Sequence, residues 1–152
     1  NMKKILVVGG AGYVGGALTE RLMGYNFRVY DNLLYDNTFR KPVDFVFGDL
    51  RETSKLKKQL EWADVVIWLA AIVGDPACNL NQDLTVEINE RSVKWLCDNF
   101  DGKIIFLSTC SVYGIGDKLL HEESELNPLS LYAWTKLNCE KFLEKKMLSF
   151  LD

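Results

Sequence analysis

The sequence has little of several features that mark specialised classes of protein. It carries 18 Lys and Arg against 21 Asp and Glu, a formal net charge of −3, so it lacks the basic excess typical of nucleic-acid binding. One histidine and four cysteines without Cys-x-x-Cys spacing offer too few ligands for a zinc site. No apolar run approaches the ~18 residues of a membrane-spanning helix. We therefore expect no nucleic-acid, metal or membrane partner.

Composition and cysteine usage favour one folded domain. Apolar residues make up 48% of the 152 residues, and only 3 are proline, which is typical of a globular chain rather than a disordered or fibrous one. Cys78, Cys97, Cys110 and Cys139 are well separated. Such cysteines fit buried, reduced thiols, and with them a cytoplasmic location.

Short apolar runs alternate with amphipathic stretches along the whole chain. The predicted strands cover residues 4–8, 28–31, 44–47, 64–69 and 103–107, and the predicted helices cover 13–23, 54–60, 83–99 and 130–147. Strands alternating with helices predict an α/β fold, a doubly wound parallel sheet of the Rossmann type with helices on both faces. We expect this domain to span residues 3–147. The polar stretch at 108–128 is long for a connection and is a candidate for function.

A glycine-rich turn joins the first predicted strand to the first predicted helix. Gly9, Gly12 and Gly15 form the pattern GxxGxxG. Such glycines allow a tight turn, a close approach of the backbone to a pyrophosphate, and close packing of the helix on the sheet. The helix N-terminus adds free N–H groups. The alternative is an ordinary strand-to-helix loop.

An acidic residue ends the second predicted strand. Asp31 lies 16 residues beyond Gly15, close to where a carboxylate would bind the hydroxyls of an adenosine ribose. A carboxylate there would repel a 2′-phosphate, so NAD is favoured over NADP. Arg28 and Arg40 leave NADP open. The alternative is that Asp31 only caps a turn.

A tyrosine and a lysine lie one helical turn apart on the last predicted helix. In the sequence from Tyr132 to Lys136 the two side chains share a face. An ammonium beside a phenol stabilises the phenolate, which can then remove a proton from a substrate hydroxyl. Thr109 follows a buried strand, where a parallel sheet binds its ligands, and its hydroxyl can bind the same substrate oxygen. The alternatives are a surface Tyr/Lys pair and a turn that satisfies its own backbone.

With these motifs in order, the sequence resembles the extended short-chain dehydrogenase/reductase family, in its NAD-dependent epimerase/dehydratase branch (UDP-glucose 4-epimerase-like), which acts mostly on nucleotide sugars. The resemblance runs from Lys3 to about Phe142 and includes an Asp-Asn-Leu end of strand two, a Gly-Asp-Leu segment, a Leu-Ala-Ala segment and a helix asparagine. The resemblance implies that the following residues bind the cofactor: Gly9, Gly12, Tyr13, Val14, Gly15, Asp31, Asn32, Asp49, Leu50, Leu69, Ala70, Ala71, Asn89, Tyr132 and Lys136.

The resemblance also implies catalytic roles. Tyr132 would be the base, Lys136 would bind the nicotinamide ribose and lower the tyrosine pKa, and Thr109 would hydrogen-bond the reacting oxygen. Dehydratases of this branch carry an Asp-Glu pair directly after the catalytic threonine, where this sequence has Cys110 and Ser111. A 4-epimerase is therefore favoured over a 4,6-dehydratase. The alternatives are an NAD(P)-dependent sugar reductase and a non-catalytic dinucleotide-binding fragment.

Two further expectations concern what surrounds this domain. Members of the family place much of their sugar-nucleotide pocket in a C-terminal portion, which we expect to be absent from this chain. The helices at 83–99 and 130–147 correspond to those that often form a homodimer interface in the family, so a homodimer is possible through them. A light-scattering mass of the monomer alone would count against it.

Overall fold

The computed structural model describes residues 2–33, 42–72, 75–114 and 121–149. They fall into two compact units. Unit 1 comprises Asn1–Ala70 and Asn99–Leu107, and unit 2 comprises Ala71–Asp98 and Ser108–Asp152. Of the residues raised above, Arg40 lies outside the described ranges.

Unit 1 contains a five-stranded sheet. Its strands are β1 (Lys4–Val8), β2 (Asn26–Asp31), β3 (Asp44–Phe47), β4 (Val65–Trp68) and β5 (Lys103–Phe106). They run parallel in the order β3-β2-β1-β4-β5. The order reverses direction at β1, so the carboxyl ends of β1 and β4 form the point where a doubly wound sheet binds its ligands. The predicted parallel α/β fold is confirmed.

The core of unit 1 is formed by β1, β2 and β4, whereas β3 and β5 at the edges of the sheet contain no buried residue. Val7 on β1 and Val29 on β2 are fully buried. Two leucines pack against this cluster: Leu18 on helix α1 (Tyr13–Arg21) and Leu22, which directly follows that helix. Parallel strands are covered on both faces, which is why they appear as continuous apolar runs. Helix α1 is two residues shorter than predicted, and Gly24 follows with a φ of +95°, a conformation that favours glycine. Helix α2 (Thr53–Trp62) precedes β4.

Unit 2 is helical. It contains α3 (Asp75–Leu80), α4 (Gln82–Val86), a π turn (Glu87–Arg91), α5 (Ser92–Asn99), a 3₁₀ turn (Cys110–Tyr113) and α6 (Leu131–Ser149). The helix predicted at 83–99 is therefore present as α4, the π turn and α5 in succession. Helix α6 matches the segment predicted at 130–147, and Ser130 caps it by accepting a hydrogen bond from the Ala133 amide at 3.1 Å. Helix α3 was not predicted.

The structure shows the burial of three of the four cysteines. Cys78 and Cys139 are buried free thiols as predicted, but Cys97 is only partly buried. Within the described ranges, each helix is too short or too polar to cross a lipid bilayer.

Candidate active site

The structure divides the predicted site residues between the two units. Unit 1 holds the following: Gly9, Gly12, Tyr13, Val14, Gly15, Asp31, Asn32, Asp49, Leu50, Leu69 and Ala70. Unit 2 holds Ala71, Asn89, Thr109, Tyr132 and Lys136. The first group lies at or just beyond the ends of strands and in the first turn of helix α1, and the second lies mainly on helices.

The glycine loop packs closely against the end of β4. Gly9 has a φ of +85°, and a Cβ added there would lie 2.6 Å from the Ala70 amide nitrogen. A Cβ on Gly15 would lie 2.5 Å from backbone atoms of Gly10. A Cβ added to Gly12, in contrast, would have only the Gly9 carbonyl oxygen within 4 Å among the described residues, at 3.7 Å. Two of these glycines are therefore required by the fold itself, while Gly12 leaves open space beside the backbone.

Helix α1 begins without a side-chain cap. Gly12 is its N-cap and provides no side-chain hydrogen bond, so amides of the first turn point away from the helix. Tyr13 and Val14 in that turn are 96% and 46% exposed. Free amides and the positive end of the helix dipole form a site for a phosphate. The arrangement fits the pyrophosphate of a dinucleotide.

Asp31 links the end of β2 to the glycine loop. Its Oδ2 accepts a hydrogen bond from the Ala11 amide at 3.0 Å, and its Oδ1 accepts one from the Leu33 amide at 2.7 Å. The second bond forms a turn in which Leu33 has a φ of +59°, a conformation uncommon for a residue with a branched side chain. Asp31 thus does cap a turn, as the alternative interpretation expected. The same carboxylate lies against the loop and retains lone pairs for a ligand.

A second acidic group lies beside Asp31 at the end of β3. The Gly48 amide donates to the Asp31 carbonyl at 3.0 Å, and the Tyr30 hydroxyl donates to the Asp49 carbonyl at 2.7 Å. Both carboxylate oxygens of Asp49 accept from the Arg51 guanidinium at 2.9 Å. The hydrogen bonds from Arg51, together with one from Asn32, hold the pKa of Asp49 at about 2. Burial raises the pKa of Tyr30 to about 12, so both groups keep a fixed charge state near neutral pH.

The lowered pKa of Asp49 predicts a specific acid sensitivity. A carboxyl with a lower pKa in the folded chain stabilises that chain above its unfolded pKa of 3.8, and the contribution is lost as the pH falls toward about 2. The Asp49→Asn variant should therefore lose less unfolding free energy between pH 5 and pH 2 than the unchanged protein. Urea unfolding at several pH values measures the difference. Parallel stability curves for the two proteins would show that the Arg51 pair contributes nothing.

In unit 2, Tyr132 and Lys136 lie one turn apart on α6. Lys136 is 3% exposed, and Tyr132 is partly exposed. Burial, the largest cause, lowers the pKa of Lys136, while the neighbouring Cys139 and Glu140 oppose it. A buried ammonium is poorly hydrated and gains strongly from a nearby anion. It is therefore suited to stabilise a phenolate on the same helical face.

Asn89 lies in the π turn and is 1% exposed. Its Oδ1 accepts from the Ile72 amide at 2.7 Å, and its Nδ2 donates to the Ile72 carbonyl at 2.9 Å. Nδ2 also approaches the Thr135 hydroxyl at 3.5 Å. The side chain therefore fixes the chain just beyond β4 by pairing with its backbone. Binding of a cofactor by Asn89 stays a prediction.

Thr109 follows β5 and is partly buried. The preceding residue, Ser108, donates a hydrogen bond from its hydroxyl to the Glu140 carboxylate on α6. Glu140 is one turn beyond Lys136. Helix α6 thus carries the predicted base and also anchors the segment that leads into Thr109.

Sequence reasoning missed three residues that shape these two groups. Arg51 lies two positions beyond Asp49, and its opposite charge at that spacing could have indicated an ion pair with Asp49. Cys139 and Glu140 lie three and four positions beyond Lys136, which places them on the same side of α6. Helical periodicity could have identified both, but nothing in the sequence showed which partners they contact.

Comparisons with known proteins identify the family of this chain. The model of the NAD dependent epimerase/dehydratase family matches residues 5–148. A UDP-glucose 4-epimerase of Lactobacillus helveticus is 33% identical over 92% of this chain and 46% of its own length. A UDP-N-acetyl-alpha-D-glucosaminuronate decarboxylase of Bacillus cytotoxicus is 25% identical over 97% of this chain and 50% of its own length.

Among solved structures, the UDP-glucose 4-epimerase of Brucella ovis in complex with NAD superposes with a TM-score of 0.88. It is 29% identical, over 96% of this chain and 48% of its own. The chain spans about half the length of the curated relatives it matches. The predicted resemblance is confirmed by the family match. The family's own description names NAD, in agreement with the cofactor predicted from Asp31.

Proposed function

Because the chain belongs to the NAD dependent epimerase/dehydratase family, we propose that it is the NAD-binding and catalytic portion of a 4-epimerase acting on a nucleotide sugar. The observation that carries this proposal is the buried Lys136 one turn from Tyr132 on α6. A lysine costs free energy to bury unless its charge is used or paired. The names of the relatives, UDP-glucose 4-epimerase in two organisms, support the substrate class.

The residues of unit 1 fit a bound dinucleotide. The amides at the start of α1 would bind the pyrophosphate, and the open space at Gly12 would let it approach the backbone. Asp31 would accept hydrogen bonds from the adenosine ribose, and Asp49 would contact the adenine. Bound NAD supplies a hydride acceptor that later returns the hydride to the sugar.

The residues of unit 2 would move the proton. Tyr132, as the phenolate, would remove the proton of the sugar 4-hydroxyl while carbon 4 is oxidised, and would return it after reduction on the other face. Lys136 would stabilise the phenolate, and Thr109 would hydrogen-bond the same sugar oxygen. Cys110 and Ser111 occupy the positions where dehydratases carry their Asp-Glu pair, so elimination of water is not proposed.

We also propose a homodimer through α4 to α6, supported by the exposed apolar residues Trp134, Met147 and Leu148 on α6.

The proposed function is tested by supplying UDP-glucose to the purified protein with no cofactor added. An epimerase that retains NAD should convert it to the C4 epimer, visible by proton NMR of the anomeric signal. The alternative, a sugar reductase, would release its nicotinamide and consume NADH or NADPH stoichiometrically. Product that forms only with added reduced cofactor would contradict the epimerase. Loss of the carboxyl group from a UDP-uronic acid would instead indicate the chemistry of the decarboxylase relative.

A further inference from the structure

A buried cysteine joins the π turn to helix α6. The Cys139 thiol on α6 donates a hydrogen bond to the backbone carbonyl of Asn89, with 2.8 Å between sulfur and oxygen. Cys139 is fully buried and Asn89 is 1% exposed. A π turn hydrogen-bonds with i→i+5 spacing, as the Ser92 amide does to the Glu87 carbonyl, and such turns occur frequently at functional sites. The irregular turn is thus directly attached to the helix that carries Tyr132 and Lys136.

The side chain of Asn89 meets the same helix one turn earlier. Its Nδ2 approaches the Thr135 hydroxyl at 3.5 Å, and that hydroxyl donates to the Tyr132 carbonyl at 2.8 Å. Thr135 and Cys139 are four residues apart, and Lys136 lies between them in the sequence. Asn89 therefore contacts α6 at two successive turns on either side of Lys136. The thiol makes one of these two contacts, and it is the closer one.

The thiol is held in the form that can donate. Burial, opposed by Lys136, raises the pKa of Cys139 to about 12, so the S–H is retained throughout the neutral range. A buried donor that loses its acceptor carries a desolvation penalty. Because breaking the hydrogen bond would leave the buried thiol unsatisfied, the bond between the Cys139 thiol and the Asn89 carbonyl is maintained. The bond fixes the position of α6 relative to the π turn.

We propose that Cys139 is a positioning residue for the reaction described above: its hydrogen bond to the Asn89 carbonyl holds the Tyr132–Lys136 turn of α6 in its catalytic orientation. The expected effect of Cys139 on turnover rests on the proposed function. Its expected effect on the position of α6 does not. The competing interpretation is that Cys139 only fills space in the core of unit 2. The two interpretations differ in what happens when the donor is removed and the volume is kept.

Two substitutions separate donation from packing. Cys139→Val removes the donor and keeps the site filled with apolar atoms, with one carbon more than the thiol has. Cys139→Ser keeps a donor, and because the present contact is only 2.8 Å, the shorter Cβ–O bond leaves the hydroxyl within hydrogen-bond reach. Leu96→Val is the matched control, since Leu96 is fully buried on α5 and its change affects core packing alone. Cys139→Ala serves if the valine variant does not fold.

The first readouts need no turnover. Amide hydrogen exchange of residues 87–91 and 132–136 should speed up about tenfold or more in Cys139→Val relative to Leu96→Val, a loss of local protection, and should return toward the unchanged rate in Cys139→Ser. The Tyr132 phenol, followed by carbon-13 NMR of labelled tyrosine and assigned with Tyr132→Phe, should titrate at a higher pH in Cys139→Val. These results hold even if the protein is not an epimerase.

The catalytic readout follows in the active protein. In Cys139→Val, kcat should fall about tenfold, with KM changed less than twofold, because a small displacement of the base acts on the chemical step, and Cys139→Ser should recover most of it. Equal changes in Cys139→Val and Leu96→Val, or no recovery with serine, would overturn the positioning role and leave Cys139 as a packing residue. Absence of turnover in the unchanged protein would instead count against the proposed function, and the exchange and titration data would still decide the role of Cys139.

Discussion

Replacing Tyr132 with phenylalanine should lower turnover by about a thousandfold and leave the affinity for NAD nearly unchanged. The variant removes only the phenol oxygen that would take the sugar proton. Most residues predicted to bind the dinucleotide, among them Asp31 and Asp49, belong to unit 1 and are not altered, and the variant keeps the ring of Tyr132. Steady-state kinetics and a fluorescence titration with NAD measure the two quantities.

Tyr25→Phe is the matched control for this experiment. Tyr25 is 61% exposed in the loop before β2, and its phenol has no role in the proposed reaction. Turnover of that variant should equal that of the unchanged protein. If Tyr132→Phe kept more than about a tenth of the activity, general base catalysis, which contributes at least about a hundredfold, would have to be assigned to another residue.

The second large effect contrasts two glycines of the same loop. Gly15→Ala places a Cβ 2.5 Å from the Gly10 backbone, and backbone atoms cannot move aside as the end of a flexible side chain can. We expect it to cost about 3 kcal/mol or more, in the upper range for overpacking, which lowers the melting temperature by roughly 10 °C for a chain of this size. Thermal unfolding followed by circular dichroism measures the change.

Gly12→Ala should behave in the opposite way. Its added Cβ would lie 3.7 Å from the Gly9 carbonyl oxygen, an ordinary contact, and Gly12 has extended backbone angles that alanine adopts readily. Stability should therefore stay within about 1 kcal/mol, as expected for a change without a clash. NAD affinity should fall at least about tenfold, because the methyl group occupies the space through which the pyrophosphate approaches the backbone. Retained affinity in Gly12→Ala would show that the phosphates bind elsewhere.

The elements that the sequence predicted are those whose signals are local. The strands β1 and β3 were predicted to the residue because each is a short apolar run between polar or glycine residues. Gly9 was assigned to a tight turn, and its φ of +85° agrees with that, whereas Gly15 was assigned to packing of the helix on the sheet and in the structure lies against the Gly10 backbone. Asp31 was placed at the end of β2, but its turn-capping bond to Leu33 and its bond to Ala11 depend on where the loop folds back.

What the sequence could not show depends on contacts between distant segments. Helix α3 was not predicted, although Pro76 is its second residue and proline is favoured in the first turn of a helix. The π turn at Glu87–Arg91 has ordinary helical periodicity in the sequence. Its central residue, Asn89, is hydrogen-bonded to Ile72 and Cys139, which are 17 and 50 positions away. No local sequence pattern indicates these contacts. Buried polar groups are satisfied by partners that no local pattern names.

Binding of NAD by unit 1 is tested most directly by isothermal titration with NAD and with NADP, after any retained nucleotide has been removed from the 152-residue chain. We predict one NAD bound per chain, with NADP at least about tenfold weaker, because the Asp31 carboxylate would repel the added 2′-phosphate. No heat of binding with either nucleotide, or tighter binding of NADP than of NAD, would contradict the assignment of Asp31 and the glycine loop to an NAD site.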